Sequence, residues 1–362
     1  MSIRLIALLL AALLLGGCTA LPAEERAFAV ALGIDRTEDG WRVSVRIPTY
    51  QSTGGYATVS AEGRDVATAL AALNAASPMQ LHYGQLRLVV VTETLARTED
   101  FPSALAALHR RGDLRGEAAL CVTEAPLGDV MEALKPATGS RLSKSLELLL
   151  EARQKGGTAP RTTLDAWRLA GVRRQCLPIR LTLADGGGES SIELAGGWLT
   201  DASGRVTGML TADEMQLAGL LLGTWRQGEW RLPGLTVTLL DAKASAGLEQ
   251  GRAAIRLTVR CLGRGAGAEE IRREAQEALV ALTARLQEAR CDALALGGQE
   301  LAGYPSMAAW LASGWPERYA ALPVRVEVEV DCEAMESAGC TWHPARFRFS
   351  GAGGAGRRPR RR

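Results

Sequence analysis

Residues 253–261, AAIRLTVRC, alternate apolar and polar side chains, the signature of a strand with one buried face. Residues 269–290, EEIRREAQEALVALTARLQEAR, change the period. Ile271, Ala275, Leu279, Leu282, Leu286 and Ala289 now recur at helical spacing and form one apolar stripe with charge opposite. Residues 323–331, PVRVEVEVD, return to strict alternation, with Val324, Val326, Val328 and Val330 on one face and Arg325, Glu327 and Glu329 on the other. A strand, a long helix and a returning strand specify a compact α+β unit, because neither layer can bury its apolar face alone.

The N-terminal region mixes the same elements. Residues 27–32 lead into Gly33, Ile34 and Asp35, then a turn through 37–40 and an alternating segment over 41–47. Val43, Val45 and Ile47 share one face and Arg42, Ser44 and Arg46 the other, so the stretch predicts a β-hairpin whose second strand is half-buried. A short strand near 58–61 precedes a helix over 64–75, where Val66, Leu70 and Leu73 fall at helical spacing. The aliphatic run 86–92 predicts a central strand. A helix near 99–110, a strand near 117–123 and a helix opened by Pro126 and closed before Pro136 follow. Turn-forming residues gather at 153–163 and 185–189, where domain boundaries are expected. Segments 191–199 and 205–210, joined by a turn at 201–204, predict a second hairpin leading into a short helix over 212–222. The expected fold class is α+β, with three mixed α/β domains and mainly antiparallel sheets. The expected division is a signal segment 1–17, an N-terminal mixed α/β domain 18–185, a middle domain 186–250, an α+β domain 251–350 and a disordered Arg-rich tail 351–362.

The first residues carry a different message. Arg4, a Leu/Ala stretch over 5–15 and two glycines read as a secretory signal, too short to span a bilayer comfortably. Leu15, Gly16, Gly17 and Cys18 form a lipobox: small residues let a membrane peptidase reach the backbone, and the Cys18 thiol can form a thioether to diacylglycerol. The mature protein is expected to begin at Cys18 and to sit on the outer side of a cytoplasmic membrane. Each buried CH₂ contributes roughly 0.8 kcal/mol and one acyl chain anchors only marginally, so a two- or three-chain lipid makes the anchor durable. No second apolar stretch is long enough to cross a membrane.

The formal charge of +2 hides an asymmetry. Arg4 leaves with the signal, and Arg357, Arg358, Arg360, Arg361 and Arg362 lie in the tail, so the folded body is mildly acidic and a poor nucleic-acid binder. The tail itself fits either an anionic lipid surface or a solubilising end. Apart from Cys18 the cysteines are Cys121, Cys176, Cys261, Cys291, Cys332 and Cys340. They are scattered through a chain large enough to fold without staples, so isolated thiols are expected, with Cys332 and Cys340 the nearest pair.

Catalytic signals are weak. His82, His109 and His343 have no metal-ligand spacing, and there is no phosphate loop, dinucleotide glycine pattern or nucleophile elbow. No metal, cofactor or catalytic residue is therefore expected, and the chain reads as a non-enzyme. Glu93, Glu99 and Asp100 read as a solvated helix entrance. Asp35 reads as a turn-capping carboxylate, and His82 with Tyr83 as a structural pair. Trp310 and Trp315 read as aromatic packing against the long helix, with a partner surface as the sharper alternative.

Taken in order, these features resemble the Ger(x)C spore germination lipoproteins, the C subunits of nutrient germinant receptors. The resemblance rests on the lipobox, the Gly33-Ile34-Asp35 strand end with its hairpin, and residues 77–95 and 197–214. It continues through Cys291, Asp292, Ala293, Leu294, Ala295 and Leu296, then Trp310, Trp315 and the Val-rich last strand. It covers nearly the whole mature chain with short structural motifs. Thr19 and Ala20 replace the Trp-Asp pair common after the lipidated cysteine, a common glutamate is replaced near Gly263 and Arg264, and Gln85 stands where a histidine is expected, which marks a divergent member. The resemblance implies a lipid-anchored protein on the outer leaflet of the spore inner membrane. It also implies partners, an A-type and a B-type membrane subunit, and a role in assembly and signalling without catalysis. The competing reading is a lipid-anchored extracytoplasmic solute-binding protein, which would need two similar lobes around a cleft where this chain shows dissimilar units. A lipid-anchored hydrolase would need a nucleophile with a base, and the sequence offers no such pair.

Overall fold

A computed structural model describes residues 25–49, 55–136, 141–170, 176–186, 189–263 and 265–334. Leu15, Gly16, Gly17, Cys18, Cys340, His343 and the tail 351–362 lie outside these residues. In chain order the strands of the first part are β1 Arg26–Phe28, β2 Ala31–Arg36, β3 Trp41–Pro48, β4 Tyr56–Gly63, β5 Gln80–His82, β6 Leu88–Thr92 and β7 Ala119–Thr123. They continue as β8 Ile179–Gly186, β9 Glu189–Thr200, β10 Val206–Leu210, β11 Gly228–Leu232, β12 Leu235–Glu249, β13 Arg252–Gly263 and β14 Val324–Ala334. The principal helices are α1 Val66–Ala76, α2 Asp100–His109, α3 Leu127–Ala133, α4 Leu142–Lys155, α5 Leu164–Ala170, α6 Ala212–Leu221, α7 Ala268–Glu288 and α8 Trp315–Ala320.

Two mixed sheets carry the fold. The larger has eight strands in the order β10-β9-β8-β7-β6-β2-β3-β4, with parallel ladders from β8 to β2 and antiparallel ladders on both flanks. The smaller has the order β11-β12-β13-β14, antiparallel except for the last pair. Strand β6 is buried along its whole length because helices cover both faces of the larger sheet. Val89 and Val91 meet Leu70 and Leu73 of α1 and Phe101 and Leu105 of α2, while Leu88 and Val90 meet Val130, Met131 and Leu146 from α3 and α4. Helix α3 packs closely on β2: a Cβ added at Gly33 would meet Met131 Cε and Leu127 Cδ1, and those side-chain ends would have to shift.

The strand–helix–strand unit forms as its periodicity requires. Ile271, Ala275, Leu279, Leu282 and Leu286 of α7 are buried against Ile255, Leu257 and Val259 of β13 and Val326 and Val328 of β14.

Two expectations change. The polar face of β3 is covered over Ser44 and Arg46, each 3 % exposed, and solvated only at Arg42. The buried Arg46 guanidinium is satisfied: Nε donates to Leu134 O (3.2 Å), and Nη1 donates to Thr58 Oγ1 (2.9 Å) and Glu132 Oε1 (3.2 Å). The ranges 18–185, 186–250 and 251–350 do not coincide with sheet boundaries. The turn formers at 185–189 belong to a hairpin reversal, where Gly186 pairs with Glu189, so β8, β9 and β10 extend the larger sheet. Strands β11 and β12, expected in the middle domain, lie in the smaller sheet.

Candidate functional site

Helix α6 joins the two sheets. Every residue from Met215 to Leu221 is buried, including Gln216, because the helix packs between β9 of one sheet and β11 and β12 of the other. Gln216 uses its whole amide: Nε2 donates to Gly156 O (3.0 Å) and Glu229 O (2.8 Å), and Oε1 accepts from Arg231 N (3.0 Å). Thr211 and Glu214 form a capping box at the start of α6, and the other Glu214 oxygen accepts from Arg285 of α7. Burial alone would raise the Glu214 pKa, but the Thr211 backbone N–H and the Arg285 guanidinium outweigh it and hold the carboxyl below the ordinary glutamate range.

Beside this junction, a cleft of about 460 Å³ opens between β10 and the end of α7. Asp201, Arg205, Thr207, Arg285, Glu288 and Arg290 line it. Thr207 Oγ1 donates to Ala289 O (2.9 Å) across its floor. Its arginines are paired: Arg205 with Asp201 (3.1 Å), Arg285 with Glu214, and Arg290 with Glu317 (3.2 Å). The lining offers charge and hydrogen bonds for recognition, and contains no histidine, cysteine or serine to act as base or nucleophile.

The C-terminal motif residues gather into a second cluster. Asp292 is 5 % exposed and accepts from Leu296 N (2.8 Å), Gly297 N (2.7 Å) and Trp315 Nε1 (3.2 Å). Burial raises its pKa, and those three donors oppose the rise. Trp310 and Trp315 stack with ring centroids 6.1 Å apart, and Trp315 meets Tyr319 at 6.0 Å. Both tryptophans are buried, so they pack the interior rather than present a partner surface. Gln287 of α7 donates to Tyr319 O (3.0 Å) and Leu322 O (2.7 Å), fastening the cluster to the long helix.

The remaining residues singled out from the sequence are dispersed. Asp35 Oδ1 accepts from Thr92 Oγ1 (2.5 Å) and Arg36 N (2.8 Å), which joins the ends of β2 and β6. His82 lies against Phe28, and Tyr83 is buried beneath the Arg111 guanidinium. Glu93, Glu99 and Asp100 pair with Arg97, Arg205 and Arg36 respectively, so they do not converge. His109 Nδ1 lies 3.6 Å from Asp165 Oδ1. Among the described residues no group of three or more His, Cys, Asp and Glu side chains could hold a metal ion, and no helix is long and apolar enough to cross a membrane. Gln216, Arg285 and the role of Asp292 were missed. Thr211-x-x-Glu214 was a readable capping signature, whereas the partners of Gln216 and Asp292 arise only from tertiary packing.

Comparison with known proteins bears on the first part of the chain and on the fold. A family model described as "Spore germination protein N-terminal domain" matches residues 20–167, the segment that builds the centre of the larger sheet and the helices on both of its faces. No curated protein matches the chain. Among solved structures, the crystal structure of the GerBC protein matches with a TM-score of 0.50 and 15 % identity, covering 83 % of this chain and 96 % of that one. The spore germination domain and the GerBC-like mixed α+β fold together support the Ger(x)C resemblance read from the sequence.

Proposed function

We propose that this protein is the lipid-anchored C-type subunit of a germinant receptor, acting in nutrient-triggered germination by assembly and signalling at the spore inner membrane. The observation that carries the reading is the spore germination domain over 20–167 within a fold that spans nearly all of GerBC. The partners are an A-type and a B-type membrane subunit, together with membrane lipid reached through Cys18. Supporting the assembly role, the described surface offers a cleft at the sheet junction lined by charged side chains. The lipobox Leu15, Gly16, Gly17 and Cys18 supports the anchor.

Spores carrying Cys18→Ala test the anchor. The variant should fold, leave the membrane fraction and lose the nutrient response, measured as germination after nutrient addition at matched protein level. A full response at normal level would show that the anchor is dispensable.

A further inference from the structure

Cys261 and Cys332 are distant in sequence, yet the parallel ladder between β13 and β14 places them directly opposite each other. They share a face. Ile255, Leu257, Val259 and Cys261 stand beside Val326, Val328, Val330 and Cys332, all turned toward α7. Adjacent strands lie about 4.8 Å apart, within the roughly 4.4–6.8 Å Cα separation that disulfides span. Both cysteines are free thiols in this structure. The next position on that face is Gly263, where an added Cβ would meet Cys332 Sγ at 2.8 Å, so the missing side chain leaves the sulfur its space. Cys261 is fully buried and Cys332 partly exposed, which gives an outside reagent access to one thiol and shelters the other.

We propose that Cys261 and Cys332 form a disulfide, made by exchange with an external disulfide, that ties the edge strand β14 to β13. The Cys332 thiolate attacks one sulfur of the external disulfide, forming a mixed disulfide and releasing one thiolate. The Cys261 thiolate then attacks Cys332 Sγ and releases the second. The two electrons of the protein thiols reduce the external disulfide to two thiolates, which take up the two protons the protein thiols gave up and leave as two thiols. The bond pins the C-terminal end of a strand that is held by one ladder only, and closes the long loop containing α7. The sequence alone points to isolated thiols, with Cys332 and Cys340 merely the nearest pair, because separation along the chain hides the register of a parallel ladder.

The test uses the purified full chain incubated with oxidised glutathione, then alkylated under denaturing conditions and digested with a protease cutting after arginine and one cutting after glutamate. The expected product joins residues 261–264, CLGR, to residues 330–333, VDCE, at a mass two hydrogens below their sum, and disappears on reduction. The same product should form in Cys340→Ser. Alkylation of both cysteines after oxidation, or loss of the product in Cys340→Ser, would overturn the proposal.

Discussion

Trp198→Ala should destabilise the protein by about 3–5 kcal/mol, the range for removing a buried aromatic side chain. Trp198 is 1 % exposed in β9 and belongs to the core formed with Phe101, Leu120, Leu164 and Val206. Its indole Nε1 donates to Val122 O (3.0 Å), and the Arg97 guanidinium lies 5.8 Å from the ring centroid. Alanine removes the ring, leaves a cavity and deprives a buried carbonyl of its donor. Marginal folding free energies are about 5–15 kcal/mol, so the loss takes a large share of the total. Trp198→Phe keeps most of the volume and loses the hydrogen bond, which should cost about 1 kcal/mol from the bond plus a smaller packing term. Urea denaturation of the three proteins checks the order. A Trp198→Ala loss under about 1 kcal/mol would mean that β9 does not close this core.

Asp292→Ala should cost about 3 kcal/mol, because it strips the acceptor from three buried donors at once. The Leu296 and Gly297 amides and the Trp315 indole N–H all point at this carboxylate. Relaxation around the gap is limited. Gly297 packs so closely on the indoles of Trp310 and Trp315 that an added Cβ would collide with both. Asp292→Asn retains one acceptor oxygen and should fall between the two. The pH dependence distinguishes electrostatics from packing. Burial raises the Asp292 pKa, so the folded state holds its proton more tightly than the unfolded chain. The cost of ionising the group is therefore fully present above the folded pKa and is relieved as pH falls through it toward the unfolded value. Asn cannot ionise and should lack that component. Denaturation of wild type and both variants across the acidic range checks it, and parallel pH profiles for wild type and Asp292→Asn would reject the electrostatic account.

Legibility followed locality. The alternation of 253–261 and 323–331 and the stripe of 269–290 were readable because each element buries one face against the others. The aliphatic run around Val89 announced a strand covered on both faces, and Pro126 marked the start of α3. Strand β12 was not readable, since its apolar start runs into Asp241, Lys243, Ser245 and Gly247, residue types that strands disfavour. Its pairing with β13 over nearly its whole length holds it extended. Helix α4 also went unread, although Leu142 and Leu146 recur at helical spacing. The polar face of β3 misled for a different reason. Alternation reports which residues share a face, and only the tertiary fold decides that α3 and Glu132 cover Arg46. The junction through Gln216 and the opposition of Cys261 and Cys332 depend on contacts between segments distant in sequence, which one sequence does not encode locally. The lipobox reading of Leu15, Gly16, Gly17 and Cys18 falls on residues outside those described.

The central claim is membership in a receptor assembly, and co-purification measures it directly. The full chain, captured through an affinity tag from detergent-solubilised membranes of dormant spores, should bring down one A-type and one B-type germinant receptor subunit in constant proportion. Recovery of the chain without either subunit, from spores that contain both, would contradict the account.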